Sequence, residues 1–395
     1  MDDVKMQWVE CPLLDDDGSA LHPPSCSDDE DEDHVVDRLN RREGHCATVL
    51  TSSADGGVQS SLSSWIVVCG GYTKGVVSAV PLVAPASLLP ALQWRELPIV
   101  DVFERDGASL TTVEIALCVA GAQHDTAMGN ASTAYLFGGF DGDMNLCNAL
   151  YAVTLCGEGD ETGIWTPTTI GVREVTTTGD VPTPRARHGA GGRDGRLFLF
   201  GGETATQEQT NDLYVCDVRT GVWRALTASS VCPAPRLLSL SLVFTSPTTF
   251  VVYGGAHFVE GAVQSFADVW KCDIDTEAWT PVAVVAGEER DLLPHSNGHA
   301  GGAVVLPSAP RRTCAVFVGG KNVAEGDDRV RMIGFSPHDG SGEVRVRAAL
   351  PAVDTGSFPH WRYTPAVVAT PKGLLLLAGQ CRHAQVPSSF LLTFA

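Results

Sequence analysis

Three histidines recur at equivalent places in the chain, and their side chains are the ones that could most readily bind a metal ion. His45, His188 and His299 each stand at the start of a stretch of small and apolar residues. Neutral imidazole is a common zinc ligand, so three such rings converging on one point could hold a metal. Hydrogen bonding inside a packed core is the more frequent role of a recurring histidine, and we therefore predict neither a bound metal nor a cofactor.

Arginine recurs in the same segments, and its guanidinium group could bind the carboxylates of a partner. Arg42, Arg185, Arg236 and Arg362 share one repeat position, and Arg187 follows Arg185 by two residues. A planar guanidinium bonds a carboxylate through two parallel N–H groups. We predict that these five arginines contact a partner. The alternative is that they tie neighbouring loops together through carbonyl and carboxylate groups.

The sequence lacks several short patterns that accompany common catalytic centres. It has no Gly-x-Ser-x-Gly nucleophile turn, no His-Glu-x-x-His zinc pattern and no Gly-x-x-x-x-Gly-Lys-Ser/Thr phosphate loop. We therefore predict that the chain is not an enzyme.

The segments that must position these residues form a repeat. An apolar run followed by Gly-Gly occurs at 65–71, 134–139, 197–202, 250–255 and 314–320, with a weaker copy at 374–380. Successive copies are 53 to 68 residues apart. In the third and fourth copies a strand-like segment and a tryptophan follow, at Asn211–Asp217 with Trp223 and at Ser265–Asp273 with Trp279. A regular period of this size predicts a ring of small sheets.

The apolar runs do not alternate with polar residues, which is typical of strands buried on both faces. Six copies predict an all-β, six-bladed propeller, with blades at 42–100, 101–172, 173–228, 229–287, 288–352 and 353–395. Too few residues follow the sixth copy to supply a fourth strand. We therefore expect residues 5–10, which include Trp8, to pair with the segment near 389–394 and close the ring. In blade two we expect the first strand at 114–122.

The order of Gly-Gly, a segment such as Asn211–Asp217 and then a tryptophan resembles the kelch-repeat family of β-propellers. The resemblance implies a protein-interaction module or scaffold that binds a partner protein or peptide at the loop face. Kelch modules that bind acidic peptides carry a contacting arginine two residues before the equivalent of Gly189, which is Arg187 here. Two alternatives stay open: an enzyme of carbohydrate-type substrates at the channel mouth, and a substrate adaptor for a ubiquitin ligase.

The chain is acidic, with a formal charge of −20. Residues 1–40 contain 13 acidic and 2 basic side chains, and we expect residues 11–41 to be an acidic disordered insertion. Ser27 precedes three acidic residues and is a possible phosphorylation site. At the mouth of the propeller, this segment could compete with an acidic partner peptide.

The same composition limits the kinds of partner and the cellular compartment that we expect. An acidic protein is a poor match for nucleic acid or for anionic membranes, because phosphate contacts need lysine and arginine. The first residues include no apolar leader, and the twelve cysteines are scattered along the chain. We therefore expect a cytoplasmic, monomeric propeller with reduced cysteines.

Overall fold

The computed structural model describes residues 5–14, 44–52, 63–73, 76–77, 81–99, 108–112, 133–159, 165–226, 231–285, 293–306, 312–322, 325–335, 342–347, 360–380 and 389–394. Within these ranges, six sheets, each built on four antiparallel strands, form the blades of a propeller. The first strand of each blade lies innermost, beside a central channel, and the fourth lies outermost. The six-bladed all-β fold that the repeats predict is confirmed.

The strands follow one another in the same order in every blade. Blade one contains Cys46–Ser52, Ser63–Cys69, Leu82–Pro85 and Arg95–Glu96; blade two contains Ser109–Thr112, Ala134–Phe137, Leu150–Gly159 and Trp165–Val175. Blade three contains Gly189–Arg193, Arg196–Phe200, Leu213–Asp217 and Val222–Leu226; blade four contains Val243–Phe244, Thr249–Tyr253, Val269–Asp273 and Ala278–Pro281. Blade five contains Asn297–Leu306, Arg312–Lys321, Val330–Phe335 and Gly342–Arg347; blade six contains Ala366–Thr370, Gly373–Leu377, Ser389–Phe394 and Met6–Cys11.

Several short strands lie outside the four main strands of the blades. Thr178–Gly179 and Val284–Val285 add in parallel to the fourth strands of blades three and five. Small hairpins pair Tyr72–Thr73 with Val76–Val77 and Ala256–Val259 with Ala262–Ser265, and Arg185–Ala186 pairs with Glu203–Thr204. Among the described residues the only helix is the 3₁₀ turn Ala86–Leu88, and no helix there is long and apolar enough to cross a membrane.

The N-terminal strand closes the ring, as predicted. Met6–Cys11 pairs antiparallel with Ser389–Phe394 and becomes the fourth strand of blade six. The Trp8 side chain is buried, meets the Phe390 ring edge-on at 6.3 Å and packs in a cluster shared with blade five. The first and last blade strands of the described residues therefore share one sheet, and this pairing closes the ring.

The first four residues of the predicted insertion are ordered. Cys11 is fully buried beside Ile66 and Leu377, and Leu13–Leu14 pairs in parallel with Leu92–Gln93 of blade one. Burial and backbone pairing therefore order residues 11–14, and the predicted disorder is wrong for these four residues. The rest of that segment, which includes Ser27, lies outside the described residues, and so does Arg42 at the start of blade one.

The first strand of blade two also differs from the expectation. Ser109–Thr112 pairs with Ala134–Phe137, so the strand begins five residues before the predicted start at 114. The predicted span 114–122 lies outside the described residues. The error arises because the residues before Ser109 are charged and polar, whereas those after Thr112 have the apolar composition that is typical of a strand.

The core lies between neighbouring blades. Trp223 of blade three packs against Phe137 of blade two at 5.2 Å between ring centroids, and Trp279 of blade four packs against Phe200 of blade three at 5.0 Å. Tyr214 joins Trp223 in the cluster shared with blade two. Each tryptophan therefore covers the apolar run of the preceding blade and buries the second face of that strand.

The Gly-Gly pairs allow the next blade to approach. Gly201 and Gly202 have φ of 67° and 96°, in the left-handed region that favours glycine. The N–H of Gly202 donates to the carbonyl oxygen of Arg236 at 2.9 Å. A Cβ atom on Gly201 would lie 2.6 Å from the same oxygen, so a side chain there would push blade four away.

Candidate binding site at the channel mouth

The central channel encloses about 550 Å³ between the first strands of the six blades. Much of its wall consists of small residues, among them Ala47, Ala108, Gly192, Ser241 and Ala300. One end of the channel is surrounded by the connections that enter the first strands and by those that join second to third strands. We call this end the mouth and the surface around it the loop face. Its connections are where the predicted arginines and histidines lie.

Five equivalent residues form a ring at the mouth, which we call the collar: Gly44, Arg187, Leu238, Gly298 and Thr364. All five have positive φ, between 49° and 67°. Their backbones are linked from blade to blade. The N–H of Leu238 donates to the carbonyl of Arg187 (2.8 Å), and the N–H of Gly298 donates to the carbonyl of Leu238 (2.9 Å).

The collar continues across the closing seam of the ring. The N–H of Thr364 donates to the carbonyl of Gly298 at 2.7 Å, and the Gly44 N–H donates to the Thr364 hydroxyl at 3.3 Å. Thr364 is β-branched, and such residues rarely adopt this backbone conformation. Its hydroxyl links blades six and one, which gives a physical reason for a side chain at this position.

Arg185 is buried inside blade three. Its Nη1 and Nη2 donate to the carboxylate of Asp212 at 2.7 and 3.1 Å, and Nη1 also donates to the carbonyl of Gly201 at 3.0 Å. The residue is 1% exposed. The guanidinium therefore ties the entrance of the first strand to the Gly-Gly turn and to the start of the third strand.

Blade four repeats this arrangement, and blade six repeats its contact with the turn carbonyl. Arg236 donates to the Asp268 carboxylate at 2.7 and 2.8 Å and to the Gly254 carbonyl at 2.8 Å. Arg362 donates to the carbonyl of Ala378 at 3.4 Å. Both arginines are buried, and both hold the turn that follows the second strand.

These contacts correct the expected role of the arginines. The side chains of Arg185, Arg236 and Arg362 are not accessible to a partner at the loop face, so they have the alternative role of tying loops together. Arg42 lies outside the described residues. The repeat pattern shows that the four positions are equivalent, but it does not show whether the shared environment is a surface or a core.

Among the predicted arginines that the structure describes, Arg187 remains accessible. Its side chain is 42% exposed, and its Nη1 donates to the Glu203 carboxylate at 2.7 Å. Its guanidinium carbon lies 5.7 Å from the centre of the Phe140 ring, a distance typical of a cation–π contact. Two neighbours therefore orient this side chain at the edge of the mouth.

In blade five a different residue supplies the guanidinium. Ser296 stands at the position of Arg185, and the Arg331 side chain enters from the third strand. Arg331 donates to the carbonyl of Gly319 at 2.7 Å and lies 2.6 Å from the Asp327 carboxylate. Repeat register does not reveal this exchange, because Arg331 lies in a different strand.

The histidines are core residues. His188 bonds the Ser109 hydroxyl through Nε2 at 2.9 Å, and His299 bonds the Tyr253 carbonyl at 2.9 Å. Burial, reinforced by nearby Arg185, lowers the pKa of His188 to about 3. Burial, reinforced by Arg331, lowers the pKa of His299 to about 3. Both rings are therefore neutral at physiological pH.

His45 is also buried, and the described histidines, cysteines and acidic residues form no group of three that could hold a metal. Glu208, Asp212 and Cys216 are also residue types that can bind metals, and they follow one another at intervals of four. Their three side chains lie in different environments. Glu208 is exposed, Asp212 pairs with Arg185, and Cys216 is fully buried. Burial raises the pKa of the Cys216 thiol to about 12, which disfavours the thiolate that binds metals.

One exposed feature of the loop face is absent from the sequence-based expectations. The hairpin Ala256–Val259 and Ala262–Ser265 connects the second and third strands of blade four. Phe258 at its tip lines the channel cavity together with Arg187 and Tyr363. The sequence signal is a pair of turn residues, Glu260 and Gly261, between short apolar segments.

A protein-family model matches this architecture. The model described as the KLHDC2/KLHL20/DRC7 Kelch-repeats domain matches residues 99–305, just over half of the chain. Those residues contain blades two, three and four and most of the first strand of blade five.

Individual relatives match shorter segments. Kelch domain-containing protein 2 from Bos taurus is 30% identical over 119 residues, which cover 30% of this chain and 26% of that protein. An N-(sulfonatooxy)prop-2-enimidothioate sulfolyase from Thlaspi arvense is 34% identical over 102 residues, 26% of this chain and 28% of that protein. A Rho GTPase-activating protein from Dictyostelium discoideum is 31% identical over 132 residues, 32% of this chain and 8% of that protein. The matched segments thus span less than a third of each relative.

Proposed function

Since the chain belongs to the kelch-repeat family, we propose that it is a protein-interaction module that binds a partner protein on the loop face around the mouth. The observation that carries this proposal is the state of Arg187. This residue has φ of 57° and a side chain that is 42% exposed. For a non-glycine residue this conformation costs about 1–2 kcal/mol. At Gly44 and Gly298 the same collar position is occupied without that cost.

A strained, exposed and oriented side chain at an opening is a reason to look for function there. Glu203 and Phe140 hold the Arg187 guanidinium in place, so a partner meets it already ordered. Ordering before contact reduces the entropy lost on binding. Leu238 and Thr364 are buried instead, and their side chains serve the collar itself.

We infer that the chain has no catalytic activity of its own. The support is the absence of a metal-ligand group among the described residues and the neutral, buried state of His188 and His299. The enzyme name of the Thlaspi arvense relative belongs to that protein, of which 28% is matched. Substrate adaptor in a ubiquitin ligase is a special case of the proposed function, with the ligase substrate as partner.

The location is part of the same proposal. Every cysteine in the described ranges has a free thiol, and most of these are buried in strands. Free, buried cysteines support a reducing, cytoplasmic compartment. We also propose a monomeric propeller, because both ends of the ring are joined within one chain.

The test compares two variants at opposite ends of the channel. Arg187→Gly removes the side chain and relieves the backbone strain, whereas Val305→Ser changes a residue that is 57% exposed at the far end of a first strand. Affinity capture with quantitative mass spectrometry should show weaker recovery of a partner on the glycine variant. Recovery on the serine variant should equal that of the wild type, and the Tm of the glycine variant should not fall. Equal recovery on all three proteins would contradict the proposal.

A further inference from the structure

The hairpin of blade four places apolar side chains in solvent beside the mouth. Phe258 is 41% exposed and Val259 is 44% exposed. The strands Ala256–Val259 and Ala262–Ser265 are joined by Glu260 and Gly261, whose φ values are 51° and 80°. Positive φ at both turn residues is typical of a tight type I′ turn, which matches the twist of the strands. The tip is therefore a defined structure with two exposed apolar residues.

Neighbouring groups hold this hairpin in one position. Gln209, from blade three, bonds the backbone of Phe258 twice. Its Oε1 accepts a hydrogen bond from the Phe258 N–H at 2.6 Å, and its Nε2 donates one to the Phe258 carbonyl at 3.5 Å. At the base, Ala256 and Leu237 exchange two backbone hydrogen bonds, at 2.8 and 2.9 Å. Leu238 packs beneath the hairpin. Both the base and the tip are fixed, so the exposed side chains form a preorganised surface.

Exposed carboxylates lie on the same loop face as this apolar tip. Four successive connections between second and third strands, in blades two to five, each carry an exposed acidic residue: Asp143, Glu208, Glu260 and Glu325. None of the four forms an ion pair with a lysine or arginine in the described part of the chain. Glu208 and Glu260 are nearest to the tip, because Gln209 bonds Phe258 and Glu260 belongs to the same hairpin.

The cations of these connections and of the adjoining collar are largely neutralised within the fold. Arg187 pairs with Glu203, and Arg329 donates twice to Asp327 at 2.9 Å. The Lys321 ammonium lies 3.9 Å from the centre of the Tyr363 ring and has no carboxylate partner among the described residues. Exposed unpaired carboxylates therefore outnumber exposed unpaired ammonium groups on this part of the loop face.

We use the name hairpin face for Phe258, Val259, Glu208 and Glu260. We propose that the hairpin face binds an extended segment of a partner protein in which a bulky apolar side chain is flanked by lysine or arginine. This proposal rests on the proposed function and adds the chemistry of the partner. Contact with the Phe258 ring and Val259 supplies apolar burial, and the carboxylates attract the flanking cations. An arginine of the segment can also stack on the Phe258 ring.

The charge of the hairpin face opposes the acidic ligand that the arginine pattern suggests. Of the predicted arginines in the described residues, Arg187 is accessible, and Glu203 already neutralises it. An acidic peptide at this edge would meet Glu208 and Glu260 without a compensating cation. Like charges in such positions lower affinity and exclude wrong partners.

The experiment selects binders for the full chain from a display library of random short peptides. Individual peptides are then synthesised and measured by fluorescence anisotropy. The selected set should be rich in lysine and arginine around a leucine, isoleucine, phenylalanine or tryptophan. Affinity should fall as salt rises from ~50 to ~300 mM, because the contacts between rim charges are screened.

Matched variants assign this binding to the hairpin face. Phe258→Ser and the double change Glu208→Lys with Glu260→Lys should each weaken binding by about tenfold or more. Two controls at the other end of the blades make the same kinds of change: Val305→Ser, and Asp275→Lys in an exposed turn. The controls should change affinity by less than about twofold.

Each other outcome is decisive. Acidic binders that are lost in Arg187→Gly but kept in Phe258→Ser would overturn the inference and leave the proposed function standing. Equal weakening in Asp275→Lys would show attraction to the net charge of −20 and would also overturn it. Recovery of no peptide would reject the hairpin face as a peptide site. Binders that no loop-face variant affects would overturn both the inference and the proposed function.

Discussion

Arg331 donates a hydrogen bond to the carbonyl oxygen of Gly319 at 2.7 Å, and in doing so supplies in blade five the contact that first-strand arginines supply in blades three, four and six. The guanidinium has the same kind of partners, a turn carbonyl and an aspartate. It reaches them from the third strand, while Ser296 stands at the first-strand position. A buried guanidinium therefore contacts this turn in blades three to six, and it can come from more than one place in the blade.

This exchange predicts the effect of removing Arg331. Arg331→Leu leaves a buried carbonyl at Gly319 and weakens the neutralisation of Asp327, so we expect a loss of about 3 kcal/mol in the free energy of unfolding. Arg236→Leu should cost a similar amount. Urea denaturation measures both. Arg224→Leu, which removes an exposed ion pair with Glu277, is the control and should cost no more than about 1 kcal/mol.

The swap can also be reversed. Adding Ser296→Arg to Arg331→Leu places the guanidinium where the other blades have it and should restore part of the lost stability. A single variant as stable as the Arg224→Leu control would show that the buried guanidinium is dispensable.

The buried histidines predict a loss of stability in acid. His188 and His299 have a pKa of about 3 in the folded protein, against an ordinary value of 6.5. Above pH 6.5 neither state binds the proton, and below it only the unfolded state does. The contribution of the two histidines to the free energy of unfolding is therefore fully present above pH 6.5. It is lost as the pH falls toward 3, at about 1.4 kcal/mol per pH unit for each histidine.

The double variant His188→Gln with His299→Gln isolates this effect. Its free energy of unfolding should fall less steeply than that of the wild type between pH 6 and pH 4, while the two proteins should run parallel above pH 7. Urea titrations at each pH give the slopes. Identical slopes in acid would mean that these two rings do not titrate on unfolding.

Ring closure predicts that Trp8 stabilises the whole propeller. Trp8→Ala removes a buried side chain from the cluster between blades five and six, and should cost roughly 3–5 kcal/mol. Gln7→Ala, in the same strand with an exposed side chain, is the matched control. Thermal unfolding should show a clearly lower Tm for the first variant. An unchanged Tm would contradict the closure argument.

The amide of Gln209 predicts a local effect on the hairpin. Gln209→Ala removes both bonds to the Phe258 backbone, which should speed hydrogen exchange at the Phe258 amide by about fivefold to tenfold. Gln264→Ala, an exposed change in the same hairpin, should leave the rate unaltered, and Tm should be preserved in both. Equal exchange rates in the two variants would show that the hairpin is held by its base alone.

The sequence by itself determined the repeat, the blade number and the closing strand. These follow from local chemistry: apolar runs with no alternation need two covered faces, and Gly-Gly pairs allow the left-handed turns beside the next blade. The chain order then leaves Met6–Cys11 as the strand that completes blade six. Such features depend on neighbours in sequence and on a period, and both can be read from the printed residues.

Only the tertiary structure decided which side chains face a partner. Arg185 and Arg187 are two residues apart and identical in chemistry, yet one is buried against Asp212 and the other is 42% exposed. Other features also depend on residues from different strands or blades. They are the use of Arg331 in place of a first-strand arginine, the two bonds from Gln209 to Phe258, and the lack of an ion pair at Glu208 among the described residues. Burial and charge pairing are set by distances through space, and a repeat register identifies equivalent positions without giving those distances.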